Sequence, residues 1–171
     1  MAWLLQAQAD REAAELLAGN EVRHSYCHAI AKWQQTVEKA IKSLVACLRH
    51  SGVLHIEIGY KHGVERFVSV LIRLPHARDN RTIQQQIHGF LDQQTRDGLR
   101  ALDALVPHRP AAGNSPQRNT EYPFLKADGG WTYPAFEKVF SDEEIRQFRS
   151  LAQRVLDKVW RIVSALRRRP N

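Results

Sequence analysis

Residues 26–48, YCHAIAKWQQTVEKAIKSLVACL, decide the fold. Tyr26, Ile30, Trp33, Val37, Ala40, Ile41, Leu44, Val45 and Leu48 recur at spacings of three and four, so a helix of 3.6 residues per turn carries them as one apolar stripe. The stripe stops before Gly52, a residue type that ends helices, which predicts a helix over 22–50.

Other segments carry the same period. Residues 2–19 are rich in Ala, Leu, Gln and Glu and close on Gly19-Asn20, a second predicted helix. Ile83, Ile87, Phe90, Leu91, Leu99, Leu102 and Leu105 predict a third over 80–105, opened by Asp79 or Asn80 and weakened or bent at Gly98. Ser141-Asp142-Glu143-Glu144 has the spacing of a capping box, and Ile145, Phe148, Leu151, Ala152, Val155, Leu156, Val159, Ile162, Val163 and Leu166 follow it on one face, predicting a helix over 141–168. Between the second and third helices, Leu54, Ile56, Ile58 and Tyr60 alternate with polar residues, and Val68, Val70 and Ile72 alternate after Lys61-His62-Gly63. That reads as a β-hairpin-like insertion over 53–74, although Phe67 and Leu71 make its second arm apolar on both faces. Five of the seven prolines fall in 107–134, so 106–140 is a long irregular connection. Its Trp131, Tyr133, Phe136 and Phe140 either anchor it to the helices or offer rings on which a base can stack. The expected class is mainly α, a four-helix up-down bundle in one domain, which suits 171 residues of which 43% are hydrophobic.

Charge narrows the partners. Lys and Arg number 25 against 18 Asp and Glu, a net +7, and 18 of the 25 are arginines, whose planar fork suits phosphate. RNA or nucleotides are the expected partners, and the alternative is that the charge serves solubility. The excess concentrates at the C-terminal end, where Arg167, Arg168 and Arg169 form a basic tail. Cys27 and Cys47 lie twenty positions apart in one helix and so cannot bridge each other. With no span of apolar residues long enough for a membrane and an N-terminal apolar run cut short by Gln6 and Asp10, the expected setting is cytoplasmic, with no membrane. The chain contains no G-x-x-x-x-G-K-[ST], no G-x-G-x-x-G and no G-x-S-x-G, so phosphate-loop hydrolysis, dinucleotide redox and serine hydrolysis find no support.

Local words add a resemblance. Ala2-Trp3-Leu4-Leu5-Gln6-Ala7 with Asp10, Ala14, Leu16 and Leu17, followed by Trp33-Gln34-Gln35-Thr36-Val37-Glu38-Lys39-Ala40-Ile41-Lys42-Ser43-Leu44, resembles the first two helices of the HEPN family. Arg118-Asn119-Thr120-Glu121-Tyr122-Pro123 resembles the R-Y-P segment ahead of that family's last helix, with three residues between Arg118 and Tyr122. The resemblance covers roughly two thirds of the chain, and the insertion over 53–74 departs from the short members. It implies a HEPN-like bundle, a homodimer, and either metal-independent cleavage of RNA of the toxin or defence type through an Arg-x(4–6)-His motif, or a non-catalytic module that binds a nucleotide or a partner such as a nucleotidyltransferase. No cofactor is expected.

Three pairs satisfy that motif: Arg23 with His28, Arg49 with His55, and Arg81 with His88. Chance gives about 2.5 such matches at this composition, so position must rank them. Arg81 and His88 are seven residues apart in a predicted helix and project from nearly one face, where both can reach one phosphate. Arg23 and His28 would point about 140° apart within a helix, and work together only if Arg23 precedes it. Arg49 and His55 straddle Gly52. In such a pair histidine can take the proton of the ribose 2′-hydroxyl while arginine stabilises charge on phosphorus; the competing assignment is a hydrogen-bonded bundle histidine beside a surface ion pair. The candidate nucleic-acid contacts are Arg167, Arg168, Arg169, Arg118 and Lys39, the last also readable, with Glu38 and Lys42, as part of a solvated helix face. His24 and His28 have the i, i+4 spacing of metal ligands but no evident third ligand, so no metal is expected.

Overall fold

The computed structural model describes residues 1–19, 26–55, 63–74, 81–105, 120, 124–125, 128–132 and 140–168. They form six helices and one small strand pair: α1 Ala2–Gly19, α2 Tyr26–His50, α3 Glu65–Ile72, α4 Arg81–Phe90, α5 Gln93–Asp103, β1 Phe124–Leu125, β2 Trp131–Thr132 and α6 Asp142–Arg167. The protein is mainly α.

Helix α2 is central because its stripe is wide. Trp33, Val37, Ala40, Ile41, Leu44, Val45 and Leu48 are all fully buried, and both α1 and α6 pack along α2. Its C-terminus closes as the sequence anticipates. Gly52 takes φ 70, the Gly52 amide donates to the Arg49 carbonyl (3.1 Å) and the Val53 amide to the Leu48 carbonyl (2.9 Å), a Schellman arrangement that only a residue without Cβ adopts freely. Helix α6 opens on the expected capping box. The Glu144 amide donates to Ser141 Oγ (3.2 Å), and the Ser141 amide donates to Glu144 Oε2 (2.9 Å).

Two expectations are corrected. The second arm of the hairpin-like insertion is helix α3, not a strand. Val64, Phe67, Val68 and Leu71 are buried at helical spacing, and this one-sided burial outweighs the β preference of Val68, Val70 and Ile72. The carboxylate of Asp103, at the end of α5, accepts from the Val64 amide at 3.0 Å and supplies the N-terminal acceptor that α3 lacks locally. Residues 56–62 of that insertion lie outside the described residues. The single helix expected over 80–105 is two helices, broken at Leu91-Asp92 rather than at Gly98. Asp92 is an N-cap whose Oδ1 accepts from the Thr95 amide at 2.7 Å, and this starts α5 afresh. Gly98 has a packing role instead: a Cβ there would come within 3.1 Å of Leu151 Cδ2, so its absence lets α5 lie close on α6. In the long connection, β1 and β2 pair antiparallel around Asp128-Gly129-Gly130, with Gly129 at φ 81. No helix among the described residues is long and apolar enough to cross a membrane.

Candidate nucleic-acid interface

The long helix α6 has two chemically distinct faces. Ile145, Leu151, Ala152, Val155, Leu156, Val159, Ile162, Val163 and Leu166 are buried against the other helices. The opposite face carries Arg146, Arg149, Arg154, Lys158 and Arg161, and the helix ends on Arg167 and Arg168. From 145 to 168 these are seven basic residues with Asp157 as the one acid. From Arg146 to Arg168 the face runs roughly 33 Å at 1.5 Å per residue.

The cations along it differ in their surroundings. Arg146 donates to Glu143 Oε2 through Nη2 at 2.8 Å, which holds the Glu143 carboxyl below its usual range. Arg149 pairs with Glu15 of α1. Lys158, Arg161, Arg167 and Arg168 are exposed and make no ion pair with a described residue. Arg154 keeps its Nε buried without an acceptor, beside α5 where its charge, with that of Arg96, helps hold Asp92 ionised. Four outward cations without partners among the described residues make a surface that a polyanion can neutralise.

Of the residues singled out from the sequence, Arg167 and Arg168 belong to this face, while Arg169 and Arg118 lie outside the described residues. Lys39 does not join it. It is half-buried between α1 and α2, where its ammonium is bonded to the carboxylate of Asp10. Arg81 opens α4 and His88 lies two turns on; both are exposed, and their seven-residue spacing puts them on one side of the helix. His88 Nε2 lies 3.1 Å from the Ile72 carbonyl, and Gln84, one turn earlier, donates to the Leu74 carbonyl at 2.9 Å. Because a carbonyl only accepts, Nε2 is the donor in this contact, and in the neutral ring Nδ1 is then the acceptor. Gln84 and His88 together cover carbonyls at the C-terminal end of α3, so His88 has a structural task whatever else it does. His28 is exposed in the first turn of α2, and Arg23 lies outside the described residues, as does His24. Arg49 is exposed at the end of α2 and His55 is exposed beyond Gly52, without a shared helix face. No group of three or more His, Cys, Asp or Glu among the described residues could hold a metal ion.

Of the aromatic residues read from the sequence as either anchors or stacking rings, Trp131 is 74% exposed, while Phe140 is buried just ahead of α6. Tyr133 and Phe136 lie outside the described residues. The two cysteines are free; burial raises both thiols above their usual range, and for Cys47 the charge of Arg167 opposes that shift. No family model matches the chain, and neither any curated protein nor any solved structure is similar enough to it to be matched.

Proposed function

We propose that this protein binds RNA or nucleotides through the outer face of α6. The observation that carries the reading is the seven-to-one ratio of basic to acidic residues over 145–168, with Lys158, Arg161, Arg167 and Arg168 exposed and without internal partners among the described residues. Phosphate contacts of this kind release counterions, so binding of single-stranded RNA falls steeply with salt. Fluorescence anisotropy of a labelled RNA across a salt series tests it. A log–log slope near zero would reduce the face to a solubilising one.

Cleavage of RNA without a metal is a second reading, favoured by Arg81 and His88 on one exposed side of α4 and by Nδ1 of His88 as an acceptor. The Nδ1 would take the 2′-hydroxyl proton and Arg81 would stabilise the phosphorane, leaving 2′,3′-cyclic phosphate ends. Intact RNA after prolonged incubation with the purified protein would leave binding alone, the role of a non-catalytic module acting with a nucleotidyltransferase or another partner. The resemblance to the HEPN family supports both readings. A homodimer fits the outer side of α1, where Leu5 and Leu16 are 54% and 74% exposed and Ala9 lies between them. Light scattering at the monomer mass would remove it.

A further inference from the structure

The N-terminal half of α6 and the C-terminal half of α1 border an open cleft of about 320 Å³, lined by Arg11, Glu15, Arg146, Arg149, Ser150 and Gln153. The spacings explain the convergence. Arg146, Arg149, Ser150 and Gln153 stand at i, i+3, i+4 and i+7 on α6, and Arg11 and Glu15 at i and i+4 on α1, so each set shares one helix face. Every lining side chain is polar. The stems of these side chains supply apolar walls and their heads supply the donors, with no aromatic or branched aliphatic side chain among them.

Its donors name the ligand class. Three guanidiniums line it and each has a carboxylate neighbour, Glu12, Glu143 or Glu15, so what the cleft offers an oxyanion is forked donors, which the three terminal oxygens of a phosphate monoester occupy more fully than the two free oxygens of a phosphodiester. The arginines are also held in place beforehand. Arg11 Nη1 donates to Gln153 Oε1 at 3.1 Å, Arg146 is fixed by Glu143, and Arg149 rests on Glu15. Each guanidinium has five donors, so these anchors leave others free for an incoming oxyanion. Glu15 is then an internal stand-in: an arriving phosphate displaces its carboxylate from Arg149 and takes its place. From the cleft the outer face of α6 continues through Lys158 and Arg161 to Arg168.

We propose that this cleft is a phosphomonoester site, taking the phosphate of a mononucleotide or the terminal phosphate of an RNA strand whose backbone then follows α6. The inference rests on the RNA- or nucleotide-binding reading and names the group that reading leaves open. Calorimetry with AMP and with adenosine, and anisotropy with one single-stranded RNA bearing either a 5′-phosphate or a 5′-hydroxyl, provide the test on the full chain. AMP should bind and adenosine should not, and a preference for 5′-phosphorylated RNA would identify a strand end as the source in place of a free nucleotide. Arg11→Gln with Arg149→Gln should weaken AMP at least about tenfold while circular dichroism and melting temperature hold, since the double change removes charge-assisted bonds to phosphate. Glu15→Gln should tighten AMP by about two- to fivefold, the range set by a partly exposed ion pair, and a merely structural cleft would not respond in that direction. The proposal is overturned if AMP and adenosine behave alike, or if the folded double variant binds AMP as the wild type does. If 5′-hydroxyl RNA binds with a steep salt slope and AMP does not, the cleft fails and the α6 reading stands. If AMP binds through its phosphate and RNA does not, the cleft stands and the extended α6 surface fails.

Discussion

Two regions of this molecule are rich in cations and treat them in opposite ways. Along the seam of α1 and α2, every lysine of α2 meets a carboxylate. Asp10, whose side chain is 6% exposed, holds both Lys39 and, at 3.5 Å, Lys32; Lys42, 4% exposed, pairs with Glu38 and lies 5.4 Å from the Trp3 ring and 5.8 Å from that of Phe67. On the outer face of α6, Lys158, Arg161, Arg167 and Arg168 stand in solvent with no ion pair among the described residues. The contrast separates two uses of the same charge. A cation taken out of water needs a partner because its desolvation is otherwise uncompensated, whereas an exposed one costs the fold little and can meet a partner from outside. Charge that holds the fold is neutralised within it, and the unpaired charge on α6 is the charge on which the proposed binding to RNA rests.

The largest effect should come from breaking the matched region. Asp10→Ala strands Lys39 and Lys32 beside a vacated carboxylate site, and we expect a loss of about 2–3 kcal/mol in denaturant unfolding, below the upper range for buried pairs because both ammonium groups retain some solvent. Adding Lys39→Met should recover part of that loss, since it removes one orphaned charge and keeps the packing volume. A loss under about 0.5 kcal/mol for Asp10→Ala would mean that the lysines simply rehydrate, and that the seam is held by its apolar contacts alone.

The unmatched region should respond the other way round. Arg161→Ala with Arg168→Ala should leave stability within about 0.5 kcal/mol of wild type, as exposed substitutions do. The same pair should weaken single-stranded RNA about tenfold at moderate salt and make the salt slope shallower by about 1.4, roughly 0.7 for each phosphate no longer neutralised. A stability loss near that of Asp10→Ala would erase the distinction between the regions. An unchanged slope would assign these arginines to solubility.

The matched and unmatched regions are not equally readable in the sequence. The α2 stripe and the α6 capping box are local features: a residue's neighbours three and four positions away decide both, so both are found where the sequence puts them. The basic face of α6 is nearly as local, since it is what remains when Ile145 to Leu166 turn inward. Helix α3 is different. Its alternating Val68, Val70 and Ile72 compete with the helical set Val64, Phe67, Val68 and Leu71, and part of what settles the contest is the carboxylate of Asp103, far along the chain. The break between α4 and α5 is hidden by an apolar period that runs on through it, although Asp92 three places before Thr95 carries the cap signal. Lys39 illustrates the limit for site residues: beside Glu38 and Lys42 it reads as a surface cation, and only the approach of α1 reveals Asp10 as its partner. The cleft is out of reach for the same reason, because Arg11 and Arg149 meet only when α1 lies against α6.

Smaller effects belong to helix starts, where charge or polarity is exposed yet matched. Ser141→Ala removes the side chain that accepts from the Glu144 amide, and should cost about 1 kcal/mol, read from denaturant midpoints. That change shortens the well-ordered start of α6, so AMP binding in the adjacent cleft should weaken with it. Unaltered AMP binding would place the cleft arginines beyond the influence of the cap.

The smallest effect, and the finest test of the distinction, lies at Asp92, which is exposed but matched by the Thr95 amide. That bond, with the charges of Arg154 and Arg96 adding to it, holds the carboxyl below its ordinary range in the folded protein. The sign follows from this depression. A group with a lowered folded pKa binds protons more readily when the chain is unfolded, so its contribution is present above the unfolded value near about 4 and disappears as pH falls through the folded value. Asp92→Asn keeps an N-cap acceptor of nearly equal capping strength but cannot titrate. Wild type should therefore exceed Asp92→Asn in stability at neutral pH, and the gap should close on acidification below about pH 4, in denaturant titrations run in parallel. Since Arg154 is shared between this cap and the basic face, Asp92→Asn should also strengthen RNA binding slightly at neutral pH by removing an acid that restrains it. A stability gap that stays constant with pH would show that the cap works through hydrogen bonding alone, and that Arg154 belongs wholly to the outer surface.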